Sequence, residues 1–126
     1  MDTSLKVRAK IAQKWYNFTE DLAIILSFWH KNKDITYLRK VPYGTTKYNK
    51  SNIMYKTNLE SIKKPVLVYI HGGGWISGKL LLRNHYIQAF AKEGFFSYSI
   101  DYTTAPQAVY PTALQECFDA IDWLFD

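Results

Sequence analysis

A short apolar run that ends in three consecutive glycines constrains the fold of this chain more than any other feature. Residues 66–70 are all β-branched, leucine or tyrosine, and Pro65 directly precedes them. A strand that does not alternate apolar and polar residues is typical of a parallel sheet covered by helices on both faces. His71 and the glycines at 72–74 follow, and the glycines allow backbone angles that other residues resist. The sequence therefore predicts a strand buried on both faces with a glycine loop at its carboxyl end.

Beyond this loop the chain alternates helices and strands. A helix is predicted from Arg83 to Lys92, and Gly94 stands at the position of a C-cap glycine. A second apolar strand at residues 95–100 is followed by a second helix, which opens near Pro111. This order indicates a right-handed crossover in an α/β fold, with a mostly parallel sheet flanked by helices in three layers.

Both predicted helices have an apolar side. In the first helix, the residues expected to point inward are Tyr86, Ile87, Phe90 and Ala91. In the second helix, the expected apolar stripe consists of Leu114, Cys117, Phe118, Ile121, Leu124 and Phe125. Its solvated side is expected to carry the acidic residues Glu116, Asp119, Asp122 and Asp126.

The residues before the glycine loop predict a long helix and a pair of strands. Residues 1–30 are predicted to form one amphipathic helix, within an N-terminal segment 1–34. Its apolar face consists of Leu5, Ala12, Trp15, Phe18, Leu22, Ile25, Leu26 and Trp29. We interpret this face as a packing surface; a substrate-covering cap and a membrane-surface helix are the alternatives. Residues 35–41 and 52–57 predict a peripheral antiparallel pair.

Composition narrows the class of protein and its partners. The 126 residues suffice for one domain, and the net charge of +5 is unevenly divided between the two halves. Residues 1–64 carry thirteen basic and five acidic side chains, whereas residues 65–126 carry three and six. A uniformly basic nucleic-acid binder would not show this asymmetry, so no nucleic-acid partner is predicted. The single cysteine, Cys117, fits a reducing compartment, and no apolar run is long enough to span a membrane, so we expect a cytoplasmic protein.

The glycine loop has two possible chemical uses. Its backbone amides could cradle a phosphate, or they could stabilise the oxygen that becomes negative when an ester carbonyl is attacked. The glycine spacing fits neither common phosphate-binding pattern, and no serine or threonine follows Lys79 as a P-loop would require. The loop therefore favours oxyanion stabilisation.

Three ordered motifs carry a resemblance to a known family. The segment 69–75 resembles the HGGG segment of α/β-hydrolases related to hormone-sensitive lipase, carboxylesterases and arylformamidases. Residues 99–106 are similar to the D-Y-R-L-A-P segment of that group, and residues 110–124 are similar to its next helix. The resemblance implies that residues 35–126 are the N-terminal, incomplete part of an α/β-hydrolase domain.

The resemblance also implies roles for individual residues. Gly73 and Gly74 would donate oxyanion-hole N–H groups, and no metal or organic cofactor is expected. The residues expected to support the loop without a chemical step are His71, Gly72, Trp75, Asp101 and Tyr102. Thr103 and Thr104 stand where the family has arginine and leucine, so any contact of that arginine is lost. The sequence context assigns no role to His30 or His85, which we expect at the surface, and Cys117 is expected in the core.

The family's nucleophile lies in a G-x-S-x-G elbow, which this sequence does not contain. The resemblance therefore implies no nucleophile here, and the acid and base that follow the elbow are absent too. We expect the isolated chain to be inactive, and a completed enzyme to act on a small acyl or ester substrate. The strand at 66–70 would keep an unpaired edge, so self-association or pairing with a complementing C-terminal fragment is expected.

Two other functions remain as alternatives. A catalytically inactive remnant of this fold could bind a small ligand or a protein partner. The basic first half could contact an anionic membrane or nucleic acid, although its lysines are scattered and no recognition module accompanies them.

Overall fold

A computed structural model describes residues 3–26, 32–59, 63–81 and 84–126 of the chain. In chain order the elements are α1 (Thr3–Leu26), β1 (Ile35–Pro42), β2 (Lys50–Lys56), a 3-10 turn (Thr57–Leu59), β3 (Val66–Ile70), α2 (Asn84–Lys92), β4 (Phe96–Ile100) and α3 (Thr112–Phe125). Three residues with a prediction lie outside the described residues. They are Trp29 and Arg83, predicted to lie in helices, and His30, predicted to lie at the surface. The side chains of Leu5, Leu22, Ile25 and Leu26 lie outside the described part as well.

The four strands form one mixed sheet in the order β1-β2-β4-β3. The predicted antiparallel pair of β1 and β2 is confirmed, and β2 continues the sheet by pairing antiparallel with β4. Among the described strands, the parallel pairing expected from the crossover is that of β3 with β4. The α/β class is confirmed, and the β3–α2–β4 unit sets the carboxyl ends of two strands side by side.

Helices α2 and α3 cover opposite faces of the sheet. Ile53 belongs to a core cluster with Cys117 and Ala120 of α3, whereas Met54 packs in a second cluster with Ile87 and Ala91 of α2. Successive side chains of a strand point to opposite faces, so the neighbours Ile53 and Met54 separate the two helices. The result is the expected arrangement of helix, sheet and helix.

The end of α2 follows from Gly94, as predicted. Gly94 has a φ of 96°. Its N–H donates to the carbonyl of Ala91 at 3.1 Å, and that of Phe95 donates to the carbonyl of Phe90 at 3.1 Å. These are the two hydrogen bonds of a Schellman motif, and the Phe90 and Phe95 rings meet edge-on as its apolar contact. The motif turns the chain directly into β4.

The inward face of α2 is narrower than predicted. Ile87 and Ala91 are buried as expected, and Phe90 is half-buried, but Tyr86 is 51% exposed. Tyr86 lies one residue before Ile87 and is therefore rotated by about 100° from it around the helix axis. Its ring packs edge-on against Phe90 instead of entering the core.

The orientation of α3 corrects two predictions. Its buried residues are Glu116, Cys117 and Ala120, so the prediction of a solvated Glu116 is wrong. Leu114, Phe118 and Phe125 of the predicted stripe are exposed, whereas Asp119, Asp122 and Asp126 are exposed as expected. The helix turns Cys117 and Ala120 to the sheet, and the Tyr98 hydroxyl donates to the carbonyl of Ala120 at 3.0 Å.

Strand β3 is less buried than its apolar sequence predicts. Val66 and Ile70 are 39% and 43% exposed, and the three residues between them are half-buried. The reason is its place in the sheet: within the described residues β3 pairs on one side alone, with β4. No described strand pairs with its other edge.

The two edges of the sheet differ in how well they are protected. Strand β1 carries the charged residues Arg39 and Lys40, an irregularity in register between Leu38 and Val41, and a terminal Pro42. Charges, bulges and prolines are the features that blunt an edge against further pairing. Strand β3 contains none of them.

We therefore expect the 126-residue chain to self-associate through β3. Light scattering should show species larger than a monomer, and Ile70→Lys should shift them toward monomer, because a charge on a short edge strand opposes pairing. Leu38→Lys is the matched control, since Leu38 of β1 is as exposed as Ile70, at 43%. A monodisperse wild-type monomer would contradict the prediction.

Candidate functional site

The carboxyl ends of β3 and β4 bring the predicted site residues together. Ile70 and Ile100 are register partners at the ends of the two parallel strands. The next residues, His71 and Asp101, therefore meet, with His71 Nε2 and Asp101 Oδ1 3.0 Å apart. Ligands bind at this edge in open α/β sheets.

His71 is held on every side. Its ring stacks on Tyr102 with centroids 4.2 Å apart, and its Nδ1 lies 3.0 Å from the carbonyl oxygen of Gly72. The Tyr102 hydroxyl donates to the backbone carbonyl of His71 at 2.7 Å. His71 is buried, and both ring nitrogens are engaged, which suits an anchor for the loop better than a catalytic base.

Close packing explains one glycine beyond the triplet. Gly78 has a φ of 124°, and a Cβ added there would lie 1.9 Å from Nδ1 of His71. A side chain at this position would displace the histidine. The buried ring of His71 therefore requires a glycine seven residues later in the chain.

The peptide that joins Gly73 and Gly74 is fixed on its carbonyl side. The carbonyl oxygen of Gly73 accepts from the N–H of Ile76 at 3.2 Å, and from the N–H and hydroxyl of Ser77 at 3.1 and 3.2 Å. In a planar trans peptide the N–H points away from the C=O. The three bonds to the Gly73 carbonyl thus orient the N–H of Gly74 to the opposite side.

The amides of Gly73 and Gly74 are unpaired within the described part of the chain. No described residue accepts a hydrogen bond from either N–H. A Cβ built on Gly74 would meet no atom within 4 Å, so this residue borders open space. A Cβ on Gly73 would lie 2.2 Å from the carbonyl oxygen of Ser77, and its φ of 134° also favours glycine.

Trp75 adopts a conformation that is uncommon for a bulky residue. Its φ is 63°, in the left-handed region. Its carbonyl accepts from the N–H of Ala105 at 2.8 Å, and its ring leans on Tyr102 with centroids 5.4 Å apart. These contacts hold the backbone in place while 56% of the side chain stays exposed. Strained residues of this kind concentrate at ligand sites and are held by their surroundings.

An apolar cavity opens beside this tryptophan. It has a volume of about 400 Å³ and is lined by Trp75 and by residues between 103 and 114, among them Ala105, Ala108 and Val109. Cavities of 300–1,000 Å³ with mostly apolar walls are typical of small-molecule sites. Trp75, which directly follows Gly74, lines this cavity. One ligand could therefore contact the cavity and the amides of the glycine loop.

Helix α1 lies near this region but does not line the cavity with any described residue. Gln13 Nε2 donates to Thr104 Oγ1 at 3.3 Å and lies 3.5 Å from Gln107 Oε1. Trp15 and Phe18, which the sequence analysis placed on a packing face, are 68% and 63% exposed. For these two side chains the predicted packing face is wrong, because the helix contacts the body through a different side.

The structure identifies one residue that the sequence analysis missed. Glu116 is buried on α3, and its carboxylate accepts from the backbone N–H of Thr103 at 2.6 Å and from the Thr103 hydroxyl at 2.9 Å. It thereby ties the loop after β4 to α3. Glu116 is three residues after Ala113 and four before Ala120, and this helical spacing was a signal that it lies on the buried side. Its charge instead favoured the prediction that it is exposed to solvent.

Two groups near Glu116 have pKa values that their own burial shifts. Burial raises the pKa of the Cys117 thiol to about 11, with a smaller contribution from the charge of Glu116. Burial likewise raises the pKa of the Tyr43 phenol, and its side-chain bond to Asn49 opposes the shift. The prediction that Cys117 lies in the core is confirmed, so this thiol is not a nucleophile for the loop.

Other candidate sites receive little support from the described residues. His85 is exposed, as expected. Within the part of the chain that the structure describes, no three histidine, cysteine, aspartate or glutamate side chains converge as metal ligands would. None of the described helices combines the length and apolar character needed to cross a bilayer.

One family model and several known proteins match parts of this chain. The family model BD-FAE matches residues 52–126. The chain is 41% identical over 61 residues to hormone-sensitive lipase of Mus musculus, covering 48% of this chain and 8% of that protein. It is 30% identical over 97 residues to probable carboxylesterase 1 of Arabidopsis thaliana, covering 75% of this chain and 30% of that protein.

Solved structures agree on the fold. Esterase B of Lactobacillus rhamnosis superposes with a TM-score of 0.79 at 18% identity, over 94% of this chain and 38% of that one. A hormone-sensitive lipase from a metagenome library superposes with a TM-score of 0.68 at 19% identity, over 99% of this chain and 43% of that one. The chain therefore spans less than half the length of these relatives.

We expect the contact between Glu116 and Thr103 to contribute to stability. Glu116→Gln removes the charge that strengthens both hydrogen bonds, although its amide can still bond to the Thr103 N–H and hydroxyl, so the free energy of unfolding should fall by about 1 kcal/mol. Urea unfolding measures this change. Asp119→Asn is the matched control on the exposed side of the same helix and should change stability by less than about 0.5 kcal/mol. Equal effects of the two substitutions would contradict the assigned contact.

We also expect stability to depend on the thiol of Cys117 at alkaline pH. The raised pKa means that the folded state holds this proton more tightly than the unfolded state, where the pKa has its ordinary value of 9.0. The thiol's contribution is complete below pH 9 and is lost as the pH rises toward 11. Between pH 8 and pH 11, unfolding free energy should fall by about 2 kcal/mol more for wild type than for Cys117→Ala. Parallel pH curves for the two proteins would refute this.

Proposed function

Because the chain belongs to the BD-FAE family, within the α/β-hydrolase superfamily of esterases and lipases, we propose that it supplies the oxyanion hole of a serine hydrolase. The substrate class is carboxylic esters or related acyl compounds. Gly73 and Gly74 are the proposed donors, and residues 71, 72, 75, 101 and 102 support the loop. The nucleophile, acid and base belong to a polypeptide segment outside these 126 residues.

The observation that carries this proposal is the state of the peptide between Gly73 and Gly74. Its carbonyl is fixed by three donors, and its N–H, on Gly74, has no described acceptor, while the Cβ position of Gly74 borders open space. Catalysis by electrostatic stabilisation needs donors that are oriented before the charge appears, so that no reorganisation accompanies the reaction. The N–H of Gly74 meets this requirement, because the bonds to the Gly73 carbonyl orient it and no described residue accepts from it.

In the proposed reaction, a serine oxygen attacks the ester carbonyl carbon and its proton passes to a base. The π electron pair of the carbonyl moves to its oxygen. As negative charge develops there, this oxygen accepts hydrogen bonds from the N–H groups of Gly73 and Gly74. Collapse of this intermediate expels the alcohol with a proton, and water then hydrolyses the acyl-enzyme by the same steps. Each amide donor is worth about 2.7–4 kcal/mol in the transition state.

The apolar cavity next to Trp75 favours a substrate that carries an apolar group. Its walls consist largely of alanine, valine and aromatic surface. Burial of an alkyl chain there gains about 0.8 kcal/mol for each methylene removed from water. We propose that the cavity holds the acyl or alcohol chain while the reacting carbonyl lies at the glycine loop.

The isolated chain should not turn over p-nitrophenyl butyrate, because it contains no G-x-S-x-G serine. A longer protein, obtained by translating the gene beyond Asp126, should hydrolyse this ester if the added segment supplies the serine, acid and base. Turnover by the 126-residue chain alone would overturn the proposed division of roles. A longer reading frame without such an elbow would favour the non-catalytic binding module.

In that longer protein, Gly73→Ala should lower kcat by about 100-fold or more with little change in KM, because the added Cβ collides with the Ser77 carbonyl and moves an oxyanion donor. Gly72→Ala is the matched control, since Gly72 supports the loop through its backbone carbonyl and a Cβ there meets no atom within 4 Å. Steady-state kinetics and circular dichroism on both variants separate loss of a donor from loss of fold. Equal kcat values for the two would refute the assignment.

A further inference from the structure

Helix α1 exposes an apolar stripe on its surface. Val7, Ile11, Trp15 and Phe18 follow one another at spacings of four, four and three residues, which places them on one side of the helix. They are 50%, 66%, 68% and 63% exposed, and the Trp15 and Phe18 rings are neighbours with centroids 6.5 Å apart. We call these four residues the α1 stripe.

The α1 stripe faces away from the rest of the protein. Gln13 holds the helix to the loop after β4 through its contacts with Thr104 and Gln107. At about 100° per residue, Gln13 lies on the opposite side of the helix from Ile11 and Trp15. The same attachment that places α1 beside the site region therefore turns the stripe outward.

Basic side chains border the α1 stripe. Lys6, Lys10 and Lys14 recur every four residues along one flank, and Arg8 lies on the other flank. All four are exposed. The sequence from Thr3 to Thr19 contains no acidic residue, so this end of the helix is uniformly positive.

We propose that the α1 stripe binds the surface of an anionic lipid bilayer. An apolar stripe with aromatic residues between basic flanks is the pattern of a helix that lies in the membrane interface, with its apolar side in the acyl boundary. The lysines match the negative headgroups, and tryptophan favours the interfacial region. A nucleic acid would match the charge but would leave four large apolar side chains in water. This binding is independent of the proposed esterase function.

The test is flotation of the 126-residue chain with vesicles. Vesicles of phosphatidylcholine with 30% phosphatidylglycerol should carry the protein, and vesicles of pure phosphatidylcholine should carry much less. Replacing Lys6, Lys10 and Lys14 together by glutamine should weaken binding to the anionic vesicles by about 100-fold, at about fivefold for each charge. Addition of 0.5 M salt should also weaken it, because exposed charges are screened.

The apolar contribution has its own variant. Trp15→Ser with Phe18→Ser should weaken binding to the anionic vesicles by about 100-fold, since each side chain loses its burial in lipid. Phe125→Ser is the matched control, because Phe125 is 70% exposed on α3, outside this helix, and should leave binding unchanged. Circular dichroism checks that each variant keeps its helices, and the triple-lysine variant decides the outcome if the serine variant does not fold.

Three results would overturn the proposal. Equal binding to neutral and anionic vesicles would exclude charge matching. Wild-type affinity of the folded serine variant would exclude the stripe. Failure to float, together with a wild-type oligomer that the serine variant converts to monomer in light scattering, would instead assign the stripe to an interface between copies of this chain.

Discussion

The candidate site depends on the parallel pairing of β3 with β4. Because Ile70 and Ile100 end their strands as register partners, the residues that follow them leave the sheet at the same point. His71 and Asp101 can therefore meet at 3.0 Å without any further adjustment of the backbone. A shift of one residue in this register would separate them and turn every side chain of one strand to the other face. The remaining contacts of the glycine loop build on this pairing.

The loops after the two strands are joined to each other and to α3. Tyr102 bonds to the His71 carbonyl and stacks on its ring, and Ala105 bonds to the Trp75 carbonyl. Glu116 then connects Thr103 to the helix. Each bond engages a backbone group that would otherwise be left unpaired near the core. Together they make the loop rigid where it contacts protein and leave its free amides on the opposite side.

Local sequence predicted the elements well because their signals are local. The run at 66–70, the helix end at Gly94 and the strand pair before them each depend on residues a few positions apart. Burial could not be predicted in the same way. Strand β3 has the sequence of a buried strand, yet its exposure depends on whether a neighbour occupies its second edge.

The orientation of a helix is another property that periodicity leaves open. In α3, both the alanine and cysteine side and the stripe with Leu114, Phe118 and Phe125 have helical spacing, and the second is more apolar. In the structure the first side faces the sheet, where the Tyr98 hydroxyl donates to the Ala120 carbonyl. The buried Glu116 came with this choice, because it shares that side of the helix.

The candidate site could be predicted in its parts but not in its arrangement. The glycines and the histidine followed from a motif, whereas the orientation of the amides depends on Ser77, whose N–H and hydroxyl both bond to the Gly73 carbonyl. Because the peptide is planar and trans, the N–H of Gly74 points away from the Gly73 carbonyl that Ser77 holds. The proposed donor is thus positioned by the atoms that hold the Gly73 carbonyl. Any substitution that weakens the hold on the Gly73 carbonyl acts on the amide of Gly74 as directly as a change at Gly74 itself.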